Sequence, residues 1–326
     1  MSNQPPQPFL PYPPIAAHGV IGDRRTAALV AADGTLNWLC LPNYDSASIF
    51  AVLLDAEQGG FWRIGPATPT IGRQHYHDES AVLVTTWETD TGRLELTDTL
   101  LWPETDRPKD MQGRRVLLRR LRCTEGIAAG GFDLMPRLDF DHAARILPTQ
   151  GGYTIHLAQH ALGLWTTANL NAEDDRLTAR LNLHAGETVW AVLLWEEAPA
   201  TWTVERAQTA LDTTVAYWHS WAKKLTYTGP RKPQILRSAQ TVHLLSFAPT
   251  GSLVAAPTTS LPERIGGNLN YDYRFAWVRD ASLSMAILAM LGDTQAPRPT
   301  WTGWHNSIRR PMRRYRSPTG STATPT

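Results

Sequence analysis

The chain has 326 residues, a mass of 36.2 kDa and a formal net charge of +1, with 31 Lys and Arg against 30 Asp and Glu. That balance excludes a globally basic nucleic-acid binder and a globally acidic tail protein. An apolar fraction of 42% at a mean hydropathy of −0.29 fits a soluble protein of about two domains, and no apolar run approaches the roughly 18 residues of a membrane span.

Residues 1–14 are rich in Pro and Gln and lack both a basic start and an apolar run. They read as a disordered N-terminus rather than a signal peptide. Residues 15–62 read as short strands between turns. Asp33-Gly34 supplies the positive φ angles of a tight hairpin between strands at 27–30 and 36–41. The apolar patch 48–54, closed by Gly59-Gly60, is either a short helix or a buried strand. From residue 81 the strand signal becomes regular: 81–89 pairs with 92–102, and strands follow at 114–123, 132–140, 153–166, 176–183 and 188–195. Leu177-Thr178-Ala179-Arg180-Leu181-Asn182-Leu183 places apolar residues on one face and polar ones on the other, as in an antiparallel sheet with one wet side. Many such strands with no helical pattern between them predict a β-sandwich over residues 15–200. Cys40 and Cys123 read as reduced, buried thiols of a cytoplasmic protein.

The period changes after Pro199. Ala207, Leu211, Val215, Trp218, Ala222 and Leu225 recur at helical spacing, and Thr203 with Glu205 gives a start signal, so 201–228 reads as a linker helix. A second helix is predicted over 233–247, with Ile235, Ala239, Val242 and Leu245 on one stripe. A long loop then runs to Tyr273. The third helix, 281–291, is apolar nearly all round and stops at Gly292. Such a helix belongs inside a large helical domain, yet little chain follows to cover it. After Gly292 six arginines face Asp293 alone and the apolar period vanishes, so 293–326 reads as disordered.

Two segments carry a resemblance. One is Ala17-His18-Gly19-Val20-Ile21-Gly22-Asp23-Arg24-Arg25-Thr26, continuing to Asn37-Trp38-Leu39-Cys40-Leu41-Pro42-Asn43-Tyr44-Asp45-Ser46. The other is Ala255-Ala256-Pro257-Thr258-Thr259-Ser260-Leu261-Pro262-Glu263 with Asn270-Tyr271-Asp272-Tyr273-Arg274-Phe275-Ala276-Trp277-Val278-Arg279-Asp280-Ala281. Together they resemble the bacterial glycoside hydrolase family 15 proteins, the glucoamylase and trehalase-like group. The resemblance implies an all-β N-terminal sandwich joined by a linker helix to an all-α (α/α)6 barrel, of which residues 229–292 would be the beginning, so the barrel is incomplete. It implies inverting hydrolysis of terminal α-glucosidic bonds. By residue match, Tyr273 and Trp277 would wall the subsite of the non-reducing sugar, and Arg279 and Asp280 would bond its hydroxyls. A pyranose offers CH faces to aromatic rings and hydroxyls to charged groups, which suits these residue types. The competing assignment is a buried structural ion pair between Arg279 and Asp280.

Inverting glycosidases need a general acid and a general base about 6.5–9.5 Å apart. In the family both are glutamates far downstream of the Arg-Asp motif, and this chain offers none: Glu263 matches neither position, and no catalytic residue is assigned. The switch to Pro, Arg and Thr from Asp293 onward is what an altered reading frame or a disrupted gene would produce; the alternative is a family variant with a short barrel. The expectation is therefore an inactive, truncated form. The implied partner is an α-glucan or glucose disaccharide. No cofactor, metal, specific nucleic acid or membrane is expected, and the exposed barrel helices predict self-association. The alternative is a non-catalytic carbohydrate-binding or assembly module built on the sandwich.

Weaker signals read as structure. His75-Tyr76-His77-Asp78 is a polar turn rather than a metal site. His156 and His160 lie in a strand, where their spacing does not bring them together. Glycines 130-131, 151-152 and 266-267 read as turn glycines. Most tryptophans are taken as packing residues.

Overall fold

The computed structural model describes residues 8–102, 115–260, 264, 266–267 and 269–293. Its N-terminal part is two antiparallel sheets that share one strand, Val116–Met135. In the first sheet His18–Gly22, Ala27–Ala31, Thr35–Cys40 and Phe61–Pro66 lead to residues 130–135 of that strand, and Leu177–His184 lies on its other side. In the second sheet Arg73–Tyr76, Leu83–Glu88 and Gly92–Leu100 lead to its first half, followed by Thr188–Trp195, His160–Thr166, Gly152–Leu157 and Arg145–Thr149. The change of sheet happens at Gly126. Its φ of +63° needs a glycine, because a Cβ there would lie 2.0 Å from the Thr91 carbonyl oxygen. A strand that bends at such an irregularity and passes from one sheet to the next forms a corner of a sandwich.

Leucines, Trp62 and Phe132 from both inner faces fill the space between the sheets. The core also holds one charge pair. Arg119 and Asp98 are both fully buried, with Arg119 Nε 2.7 Å from Asp98 Oδ1. The guanidinium also donates to the carbonyls of Trp62 at 2.6 Å and Gly34 at 2.7 Å, and it lies over the Trp62 ring. Every donor direction used here crosses between strands, so the group ties the sheets where a hydrocarbon could not.

Several expected elements take a different form. Strands 114–123 and 132–140 are one strand to Met135. Gly130 and Gly131 are not a turn; they sit between Pro66 and Gly65 on one side and Leu181 and Arg180 on the other. A Cβ on Gly130 would press to 3.3 Å on its neighbours in both directions, so the glycines permit three strands to approach closely. Residues 137–138 pair instead with 142–143. The expected strand 153–166 is a hairpin that turns at Ala158-Gln159, with Ala158 at φ +51°. No Gly or Asn marks that turn. His75 and Tyr76 belong to a strand, and the Tyr76 hydroxyl accepts from Val20 N and donates to Val20 O, both at 2.9 Å. At the Asp33-Gly34 turn only Gly34 has positive φ; Asp33 accepts from Thr35 N instead. Residues 48–50 resolve the open choice as a short buried strand.

Three helices follow. α1 (Val204–Ala222) starts at Thr203, whose hydroxyl accepts from Arg206 N at 3.2 Å. Its buried face, including Ala207 and Leu211, covers the outer side of the second sheet at Val82, Leu118, Trp190 and Val192. α2 (Lys232–Leu245) buries Leu236, Ala239, Gln240, His243 and Leu244 rather than the expected stripe, of which Ala239 alone is buried. Apolar periodicity missed this face because two of its members are polar and bonded: Gln240 donates to Glu79 O at 2.6 Å, and His243 Nε2 meets the Tyr217 hydroxyl at 2.9 Å. Arg237 of α2 also stacks 3.6 Å over Tyr76. α3 (Val278–Met290) begins three residues earlier than expected. It buries Ala281 and Leu288 and exposes Val278, Leu283, Ile287 and Met290. Its C-terminal end is tied to α1 by Trp221 Nε1, which donates to Asp293 Oδ2 at 3.1 Å. No helix among the described residues is long and apolar enough to cross a membrane.

Candidate functional site

The two remote segments that carry the resemblance lie against each other. Residues 254–260 and 271–276 run antiparallel, joined by bridges at Val254–Ala276 and Thr259–Asp272. Further bonds run from Ala256 N to Tyr273 O at 2.9 Å and from Ser260 N to Tyr271 O at 2.7 Å. This pair then sits on the first sheet. Trp38 Nε1 donates to Pro257 O at 2.8 Å, and Arg274 reaches the turn that follows Cys40.

Along 271–274 the side chains alternate as on a strand. Asp272 and Arg274 form a fork-to-fork pair, Nε to Oδ1 at 2.9 Å and Nη2 to Oδ2 at 2.8 Å, and are largely buried. Tyr271 and Tyr273 take the other parity, with ring centroids 6.3 Å apart. Trp277 ends the segment as the residue before α3, and its carbonyl accepts from Ala281 N at 2.9 Å. It alone among the described tryptophans escapes full burial, so the packing reading suits the others. Its Nε1 is shielded from solvent and has no hydrogen-bond partner among the described residues.

Arg279 and Asp280 occupy the first turn of α3. Arg279 Nη2 lies 3.2 Å from Asp280 Oδ2, with side chains 79% and 41% exposed. The pair is therefore not a buried structural one. Asp280 gains from the positive end of the helix, and an exposed pair of neighbours adds little to stability. Both groups keep donors and acceptors turned toward solvent. Asp272, the other carboxylate of the motif, has both oxygens held by Arg274. Glu263 and the stretch after Asp293 lie outside the described residues.

Sequence reasoning missed Asp272 and Arg274 as a unit. The signal was present as the aromatic–charged alternation Tyr271-Asp272-Tyr273-Arg274, a period of two inside an assumed loop. A separate cavity of about 260 Å³ lies between α1 and the second sheet, lined by Thr97, Arg120, Asp212 and His219 among others; no residue of the motif borders it. Among the described residues no group of three or more His, Cys, Asp or Glu is placed to hold a metal ion.

Comparison with known proteins agrees with the two-part layout. Residues 11–205 match the family described as trehalase-like, N-terminal, and residues 229–324 match glycosyl hydrolases family 15, a match that runs on through the arginine-rich stretch after Gly292. A trehalase of Mycolicibacterium smegmatis is 34% identical over 304 residues, covering 86% of this chain and 45% of that protein. Trehalases of Mycobacterium tuberculosis and Thermoplasma volcanium are each 31% identical, with the same coverage. The chain thus spans about half the length of the curated relatives it matches. With the sandwich, the helices that follow it and both motifs in one interface, the chain belongs to the trehalase-like proteins of glycoside hydrolase family 15.

Proposed function

We propose that residues 271–280 form half of a subsite for the terminal glucose unit of an α-linked disaccharide or glucan, with trehalose the first candidate. Tyr273 and Trp277 would lie against the CH face of the ring, and Arg279 and Asp280 would bond its hydroxyls. The exposed Arg279–Asp280 pair carries this reading. A pair that adds little to the fold yet stands beside half-buried aromatic residues has the chemistry of a hydroxyl-binding site. The names of the matched relatives support trehalose as the sugar. Residues 229–292 are the beginning of the (α/α)6 domain, joined to the sandwich by α1, and the family 15 match continues beyond them to residue 324. The 326 residues by themselves bring no acid–base pair to the scissile bond and so give no turnover. Cys40 and Cys123, both free and buried, support a cytoplasmic setting. The family matches over both parts of the chain support this reading over a free-standing binding module.

Half a subsite binds weakly, because it engages only some of the sugar's hydroxyls. Saturation-transfer NMR with trehalose tests the proposal. Transfer to the sugar protons is expected with the wild-type chain at affinity weaker than about millimolar, and it should be lost in Asp280→Asn. Absence of transfer to the wild-type chain, or equal transfer in Asp280→Asn, would overturn it.

A further inference from the structure

The Asp272–Arg274 fork has more partners than an ion pair needs. Arg274 spends Nε and Nη2 on both oxygens of Asp272 and turns Nη1 to three acceptors of the sandwich. These are the carbonyls of Ser46 at 2.8 Å and Tyr44 at 3.3 Å and the Cys40 sulfur at 3.3 Å. The turn that receives it is itself fixed. Tyr44 N donates to Arg25 O at 2.8 Å, Ser46 N donates to Asn43 O at 3.1 Å, and the Tyr44 hydroxyl donates to Leu244 O of α2. One guanidinium therefore joins the sugar-facing segment to the hairpin of the first sheet and, through Tyr44, to α2.

We propose that Arg274 is a positioning residue: it locks residues 271–277 onto the turn at 40–46, so that the N-terminal sandwich fixes where Tyr273 and Trp277 stand. Its role toward the sugar rests on the subsite reading above; the lock itself does not. Alternation along the segment supplies the leverage. Because Asp272 and Arg274 face the sandwich, Tyr271 and Tyr273 are turned the other way, and holding one side of the ribbon sets the other. The charge is well supported where it sits. Burial works against the Arg274 cation, but its bonds to Asp272 and Cys40 more than offset this and hold it above the ordinary arginine range. The same closure raises the Cys40 thiol to about 11, chiefly by burial. A lysine could not substitute, since one ammonium cannot satisfy a planar fork and three acceptors at once.

Cys40 gives the lock a built-in reporter. It is 1% exposed beneath Arg274, while Cys123 is buried inside the sandwich away from it. The experiment alkylates the native chain at mildly alkaline pH and follows each cysteine by peptide mass spectrometry, with amide exchange over 271–276 measured in parallel. In Arg274→Ala, Cys40 should react at least about tenfold faster relative to Cys123. Exchange of 271–276 should rise while that of Val116–Met135 stays unchanged, and saturation transfer to trehalose should fall. Arg274→Lys should behave like Arg274→Ala. Because Arg274→Ala leaves the Asp272 carboxylate buried alone, the double variant Asp272→Ala/Arg274→Ala removes both charges and should open the segment to the same extent. Wild-type Cys40 labelling and exchange in both alanine variants would overturn the proposal, as would full rescue by Arg274→Lys. If Cys40 labelling rises as expected but trehalose gives no transfer with the wild-type chain, the lock stands and the sugar assignment falls.

Discussion

Two arginine–aspartate pairs show how differently the sandwich and the α3 segment use the same chemistry. Arg119 and Asp98 lie in the sandwich with no solvent exposure, and the guanidinium also serves two backbone carbonyls, one on the strand Phe61–Pro66 and one at the Asp33-Gly34 turn. Arg279 and Asp280 are neighbours on one helical turn, open to water, with a contact of 3.2 Å between them. A buried charge is tolerated only when its partners are complete, so the first pair is committed to the fold. An exposed pair has water as its alternative partner, and exchanging that water for a sugar hydroxyl disturbs little. Burial thus separates the arginine that builds the fold from the arginine that stands open to solvent. The Asp272–Arg274 pair lies between these limits and joins the two regions.

The largest expected effect follows from the committed pair. Arg119→Ala would strand Asp98 and two carbonyls in the core, and chemical denaturation should show a loss of about 3–5 kcal/mol. A loss below about 1 kcal/mol would erase the contrast with the exposed pair. A smaller effect is expected at the start of α1. Thr203→Ala removes the hydroxyl that accepts from Arg206 N, and the unfolding free energy should fall by about 1 kcal/mol. Smaller still is Leu283→Glu combined with Ile287→Lys, which changes two residues that are 62% and 55% exposed. Stability should move by no more than about 0.5 kcal/mol. Self-association, followed by light scattering, should nevertheless decrease, because the variant breaks up an exposed apolar face. The smallest change in stability belongs to Asp280→Asn, again within about 0.5 kcal/mol. A drop comparable to that of Arg119→Ala would show that the α3 pair also builds the fold.

Much of this organisation could be read before any coordinates. The alternation in 177–183 and the apolar period from Ala207 to Ala222 are set by burial on one face, and the structure keeps both, as Leu177–His184 and α1. The misreadings have specific causes. Gly130-Gly131 looks like a turn because the sequence does not show that two other strands press on those positions. The turn at Ala158 has no glycine because the hairpin pairing on either side holds a left-handed alanine in place. The buried face of α2 was displaced because Gln240 and His243 are acceptable inside once Glu79 and Tyr217 meet them. At the site, the motif residues were legible as types, but no local pattern shows that Arg274 crosses to Cys40, Tyr44 and Ser46, some 230 positions earlier in the chain.

We propose that residues 271–280 hold a sugar and that none of the 326 residues serves in acid–base catalysis. Glucose release from trehalose, followed with the purified chain at high protein concentration, tests this most directly. General acid–base groups contribute about 10²–10⁴ each, so without the pair the chain should release no glucose above the buffer control. Steady release that disappears in Glu263→Gln would contradict the account, since it would place a working acid or base within the 326 residues.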